Sequence, residues 1–86
     1  MTKEIYLSEH PDETEELIEN LDELLNKIDG LLSAYIHAIL LDIEDEDYES
    51  NLLLRELKEF AEEEPDLMQE EEFKRAIEIL EKITSK

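Results

Sequence analysis

The sequence contains no cysteine, one glycine and two prolines, and each of these shortages excludes a class of structure. Without cysteine the chain has neither a disulfide framework nor a zinc site built on thiolates. Because glycine and proline are the residues that most often interrupt helices, their scarcity favours helical segments. No alternation of apolar and polar residues is long enough to predict a sheet. The sequence therefore predicts an all-α protein.

Long apolar runs are also missing. The most apolar stretch extends only from Leu31 to Ile43 and contains His37 and Asp42, whereas a membrane-spanning helix needs about 20 apolar residues. The first residues lack the basic segment and apolar run of a signal peptide. We therefore expect a cytoplasmic protein, in the cytoplasm of the host cell if a phage encodes it. The length predicts a single domain over residues 1–86, with residues 1–8 extended or frayed.

Basic residues are few, because 27 acidic residues face only 8 basic ones, for a net charge of −19. Residues 1–50 carry −14 of this charge and residues 51–86 carry −5. Such a chain repels nucleic acid and anionic membranes and attracts basic proteins. Solubility of a small domain needs only about 2–8 charges. The excess indicates either selection for a negative surface or the solvated acidic face of a protein from an acidic proteome.

The apolar spacing predicts a bundle of three to four helices. The first begins near Pro11, and its apolar residues recur every three or four positions as far as Ile28. Gly30 either ends this helix or lies within one long first helix. Apolar residues keep a spacing of seven across Gly30, at Leu21, Ile28 and Tyr35, and this spacing favours the long helix. Acidic residues 44–47 predict a turn or a helix end.

Two further helices follow this acidic segment. Proline at position 65 ends the first of them. The apolar stripe of this helix comprises Leu53, Leu57, Phe60 and Ala61. The last helix is predicted to carry inward Phe73, Ala76, Ile77, Leu80 and Ile83.

Residues 31–43 are apolar on nearly every side of a helix. Such a helix must be buried on most sides, and a bundle this small offers few partners to cover it. The pattern therefore predicts a homodimer seam, although a central helix in a compact bundle also satisfies it. The predicted dimer interface consists of Leu32, Tyr35, Ile36, Ile39, Leu40 and Ile43.

No motif in the sequence predicts catalysis, a metal site or a cofactor. His10 and His37 are too far apart to form a paired metal-binding motif, and His37 is expected in the core or at an interface. Acidic residues 42–49 lack the glycine of a calcium-binding loop. The serines show no nucleophile motif, and no glycine-rich phosphate loop is present. We expect a protein that is not an enzyme.

The remaining signal is the charge itself. Carboxylates one helical turn apart are separated by about 5–6 Å along the axis, and phosphates of one DNA strand by about 3.4 Å. A helix rich in carboxylates can thus imitate a row of phosphates. In charge, size and helicity the sequence resembles the small acidic DNA-mimic inhibitors of phages and mobile elements. That resemblance implies a basic partner, a DNA-binding protein or a nuclease, and no direct contact with nucleic acid or membrane.

The carboxylates expected to replace phosphates are Glu15, Glu16, Glu19, Asp22, Glu23, Asp42, Glu44, Asp45, Glu46 and Asp47. An alternative class is a small helical interaction module, such as an immunity protein, an antitoxin or a regulator. In that class the apolar surface, rather than the charge, makes the main contacts with the partner.

Overall fold

The computed structural model describes residues 4–45 and 47–85, and within them the chain forms four α-helices and no strand. Short 3₁₀ helices lie at Leu7–Glu9 and Pro65–Gln69. The predicted small helical bundle is therefore confirmed. The four helices are α1 (Pro11–Leu25), α2 (Gly30–Asp45), α3 (Ser50–Glu63) and α4 (Glu71–Thr84).

Helix α4 lies at the centre of the bundle. It packs against α1, α3 and the 3₁₀ helix Pro65–Gln69. The apolar residues predicted to point inward are all buried, and Phe73 has no exposed surface. Leu17, Leu21 and Leu24 of α1 are also fully buried. These stripes form one core because α1 and α4 bury their apolar faces against each other.

The connection between α1 and α2 corrects the long first helix that the heptad phase favoured. Helix α1 ends at Leu25, and α2 begins at Gly30, where φ is +69°. Residues other than glycine rarely adopt this left-handed conformation, and a continuous right-handed helix cannot contain it. Gly30 does not cap α1 either, because the C-cap of that helix is Asn26. Glycine instead allows the chain to turn into α2.

The residues before α1 dock onto the connection between α2 and α3. Ile5 and Leu7 are buried. The Leu7 N–H donates to the Tyr48 carbonyl at 3.0 Å, and the Ser50 N–H and hydroxyl both donate to the Ile5 carbonyl, at 2.8 and 2.6 Å. The segment expected to be extended or frayed is therefore held in place from residue 5 onward. Residues 1–3 lie outside the described part of the chain.

Glu49 ties this docked segment to the start of α3. Its carboxylate accepts hydrogen bonds from the Asn51 N–H at 2.8 Å and from the Ile5 N–H at 3.3 Å. Glu49 is the N-cap of α3, so the first of these bonds satisfies a backbone donor at the helix end. Burial alone would raise the pKa of Glu49, but these hydrogen bonds outweigh it and hold the pKa below its ordinary value.

The lowered pKa of Glu49 predicts a loss of stability in acid. Stability that depends on the ionised carboxylate is present above the unfolded-state pKa, about 4.3, and is lost as the pH falls through the lower folded-state pKa. We expect Glu49→Ala to lower the free energy of unfolding by about 1 kcal/mol near neutral pH, or the Tm by about 4–8 °C. Thermal melts at pH 7 and pH 3 should show this difference shrinking in acid.

The matched control is Glu59→Ala, which removes an exposed carboxylate from the same helix. Its effect on the Tm should be small and nearly independent of pH. A Glu49→Ala deficit of equal size at pH 7 and pH 3 would contradict the role assigned to the ionised carboxylate.

Candidate functional site

A row of exposed carboxylates covers the outer side of α1. Its buried leucines recur every three or four residues, so the acidic residues between them fall on the opposite side of the helix. From Asp12 to Asp22 the row extends about 15 Å, at a rise of about 1.5 Å per residue. We call this row the α1 acidic face, and it consists of Asp12, Glu15, Glu19, Asp22 and Glu23.

The carboxylates of the α1 acidic face form no salt bridge in the described part of the chain, although Glu23 lies close enough to Lys27 to help raise the pKa of that ammonium. Among the residues that the structure describes, none of its carboxylates takes part in a salt bridge or a side-chain hydrogen bond. Lys27 follows α1 in the chain, but its ammonium is bound to Glu72 at 2.9 Å. That hydrogen bond raises the pKa of Lys27 and lowers the pKa of Glu72. The negative charge of the face is therefore directed to solvent.

Glu16 differs from the other predicted carboxylates of α1, because it points toward α4. It accepts a hydrogen bond from Arg75 Nε at 3.0 Å and a second from Nη2 of the same side chain. These bonds raise the pKa of Arg75. Both groups are partly exposed, so the pair contributes little to stability. Since its carboxylate is already paired, Glu16 is not part of the α1 acidic face.

The predicted carboxylates at the end of α2 fall into two groups. Asp42, Glu44 and Asp45 are exposed, and within the described residues no partner binds them. Asp47 is occupied, because it accepts hydrogen bonds from the Ser8 N–H at 3.2 Å and from the Ser8 hydroxyl at 2.7 Å. This contact places the end of α2 close to the start of α1. Glu46 lies outside the described residues.

The residues predicted to form a dimer interface lie mostly inside the chain. Ile36, Ile39, Leu40 and Ile43 are buried in the core, and Leu32 is half-buried against it. Helix α2 packs against α1, so the fold supplies partners that the sequence pattern did not reveal. The predicted interface is therefore wrong for these four residues, since they are not on the surface. Homodimerisation itself stays a prediction.

Two other side chains of α2 are exposed, and for Tyr35 the place in a dimer interface stays a prediction. The ring of Tyr35 is 43% exposed and stacks on Phe60 of α3, with 5.6 Å between the ring centroids. Tyr35 therefore contacts α3 on one side and solvent on the other. His37 is exposed, so it does not lie in the core, and its expected place at an interface stays a prediction.

Sequence reasoning missed the side of α2 that remains exposed. Leu31 is 68% exposed and Leu41 is 48% exposed, and the two alanines between them are exposed as well. A spacing of three, four and three residues aligns the four side chains on one side of the helix. We call this side the α2 outer face, and it consists of Leu31, Ala34, Ala38 and Leu41. The spacing was present in the sequence, but the surrounding apolar residues obscured it.

Two other kinds of site are absent from the part of the chain that the structure describes. In residues 4–45 and 47–85, no group of three or more His, Asp or Glu side chains is arranged to hold a metal ion. None of the helices in the same ranges has the length and apolar character needed to cross a membrane. Comparison of the chain with protein families, with curated proteins and with solved structures found no match.

Proposed function

We propose that this protein is a non-enzymatic inhibitor that binds the DNA-binding surface of a basic protein. The α1 acidic face, together with Asp42, Glu44 and Asp45 at the end of α2, takes the place of DNA phosphates. The observation that carries the proposal is the row of exposed carboxylates on α1 that form no salt bridge within the described residues. Such an inhibitor acts in the cytoplasm, where it competes with DNA for its partner.

The arrangement suits this role because the row is rigid. The opposite side of α1 is anchored by fully buried leucines, so the helix backbone that carries the carboxylates needs little ordering when a partner binds. When a basic surface binds these carboxylates, it releases anions of the solution, as it does when it binds DNA phosphates. The protein bears a cost for the row, since carboxylates four residues apart, such as Glu15 and Glu19, repel each other by a few tenths of a kcal/mol.

A competition experiment tests the proposal. The partner is purified from the native host with the protein as bait, and its Kd is measured over a salt series with and without duplex DNA. We expect the affinity to fall steeply with salt and the DNA to displace the protein. An affinity that is the same at low and high salt, or simultaneous binding of DNA and this protein, would exclude mimicry.

The second candidate function is that of a helical interaction module, such as an immunity protein, an antitoxin or a regulator. The exposed leucines of the α2 outer face favour it, because large apolar side chains on a surface commonly mark a binding site. For this function the affinity would depend on Leu31 and Leu41 and would change little with salt. The same salt series therefore separates the two candidates.

A further inference from the structure

The α2 outer face has the geometry of one half of a two-helix contact. Its residues repeat the spacing of the apolar seam in coiled coils, with leucine at the two ends and alanine in the middle. From Leu31 to Leu41 the seam covers about 15 Å, or nearly three helical turns. The small side chains of Ala34 and Ala38 allow a second helix to approach closely, while the leucines pack on either side of it.

The charge around the α2 outer face indicates which kind of helix can bind there. Helix α2 contains no lysine or arginine. Asp45 occupies the next position of the seam, and Asp42 flanks Leu41. A second copy would bring a net charge of −19 against another −19, with acidic groups on both sides of the contact. The face therefore complements a helix with basic side chains and opposes a copy of itself.

The size of the face leads to the same conclusion. A stable interface between two rigid proteins takes roughly 20–30 residues from each side. The α2 outer face offers four apolar side chains, which suits a single helix laid along α2 better than a pair of globular surfaces. Charged contacts at its acidic end add to the small apolar area.

We propose that the α2 outer face binds a basic amphipathic helix of the partner protein. Large apolar side chains of that helix lie over Ala34 and Ala38 and between Leu31 and Leu41, and its lysine or arginine side chains meet Asp42 and Asp45. This inference takes one assumption from the proposed function, namely that the partner is a basic protein. It supplies the part of the affinity that salt does not remove, because apolar burial is little affected by moderate ionic strength.

A peptide experiment tests the proposal directly. The probe is a labelled synthetic peptide of about three heptads, with leucine at positions a and d and lysine at positions e and g. A second peptide has the same composition in scrambled order. We expect the heptad peptide to bind the wild-type protein more tightly than the scrambled one, by fluorescence anisotropy at 0.15 and 0.5 M salt. The double variant Leu31→Ser/Leu41→Ser should raise the Kd of the heptad peptide about tenfold or more.

A single-site comparison uses Leu41→Ser, which should also raise the Kd of the heptad peptide, and its matched control is Met68→Ser, because Met68 is 42% exposed and lies outside α2. Its Kd should stay within about twofold of the wild type, since it lies outside the proposed contact. Circular dichroism should show all variants folded, because none of the changed side chains is part of the buried core. Equal losses for Leu41→Ser and Met68→Ser, or equal binding of both peptides, would overturn the proposal.

Analytical sedimentation tests the other possible occupant of the α2 outer face, a second copy of the chain. A wild-type dimer that becomes a monomer in Leu31→Ser/Leu41→Ser would assign the face to a second copy and overturn the basic helix. Failure of the proposed function is measured separately, because the competition with DNA depends on carboxylates of α1 and of the end of α2, which the serine variants leave unchanged. A loss of DNA competition with intact heptad-peptide binding would therefore reject mimicry alone.

Discussion

Ile36→Lys is expected to unfold the protein, whereas Ala38→Lys, two residues further along the same helix, is expected to leave it folded. Ile36 has no exposed surface and lies in the core, while Ala38 is exposed on the α2 outer face. An unpaired ammonium at Ile36 would cost several kcal/mol through lost hydration and disrupted packing. A domain of this size has about 4–13 kcal/mol of stability in total, so this single change removes much of it.

Lysine at Ala38 meets none of these costs. The side chain extends into solvent and lysine forms helices well, so the expected change is within about 0.5 kcal/mol. Far-ultraviolet circular dichroism at 25 °C and a thermal melt of each variant measure the difference. A different result would support the predicted dimer interface through Ile36 and Leu40. In that case the wild-type protein would be a dimer and Ile36→Lys would be a folded monomer.

Neutralising four of the five carboxylates of the α1 acidic face is expected to weaken partner binding and to stabilise the protein at the same time. In this variant Glu15, Glu19 and Glu23 become Gln and Asp22 becomes Asn. Exposed ion pairs contribute about 0.2–1 kcal/mol each, so four lost contacts should cost about 0.8–4 kcal/mol of binding free energy at low salt. That loss corresponds to roughly 4- to 1,000-fold in Kd. The salt dependence should flatten as ionic contacts are removed.

Stability should move in the opposite direction. Removing the like-charge pairs of α1 relieves a few tenths of a kcal/mol per pair, so the Tm should rise by a few degrees. A loss of binding by a protein that melts at a higher temperature cannot be attributed to unfolding. Thermal melts and salt-dependent binding curves of the same preparation therefore give both results.

The matched control removes the same number of negative charges from other helices. Glu59, Glu62, Glu63 and Glu71 are exposed on α3 and α4, and each becomes Gln in the control variant. If position matters, this variant should lose at most a few-fold in affinity, through the weaker general field. Equal losses in the two variants would mean that only net charge attracts the partner, and the α1 acidic face would not be a phosphate mimic.

Sequence reasoning succeeded where one side of a helix is apolar and the other is charged. The buried side of α4, the start of α1 at Pro11 and the end of α3 before Pro65 all follow from spacing and from the restrictions of proline. The carboxylates of α1 are exposed for the same reason. In these helices the periodicity alone decides which side meets the core.

The failures have physical causes of two kinds. Helix α2 is apolar on nearly every side, so its sequence does not show which side the core covers and which remains exposed. The roles of Asp47 and Glu49 depend on contacts with Ser8 and Ile5, about forty residues earlier in the chain. No local pattern reports such contacts, because they exist only after the segment before α1 has docked. The break before Gly30 was missed because the apolar phase continues across it.

The central position of α4 also affects how the chain folds during synthesis. The most extensive contact of α1 is with α4, yet α4 is made only after α2 and α3 have been added. A nascent chain that ends before Glu71 thus exposes Leu17, Leu21 and Leu24 without the surface that buries them in the finished bundle. The core of the finished bundle therefore cannot be completed until α4 has been made. During that interval the dense negative charge keeps nascent chains apart, which protects the exposed leucines from aggregation.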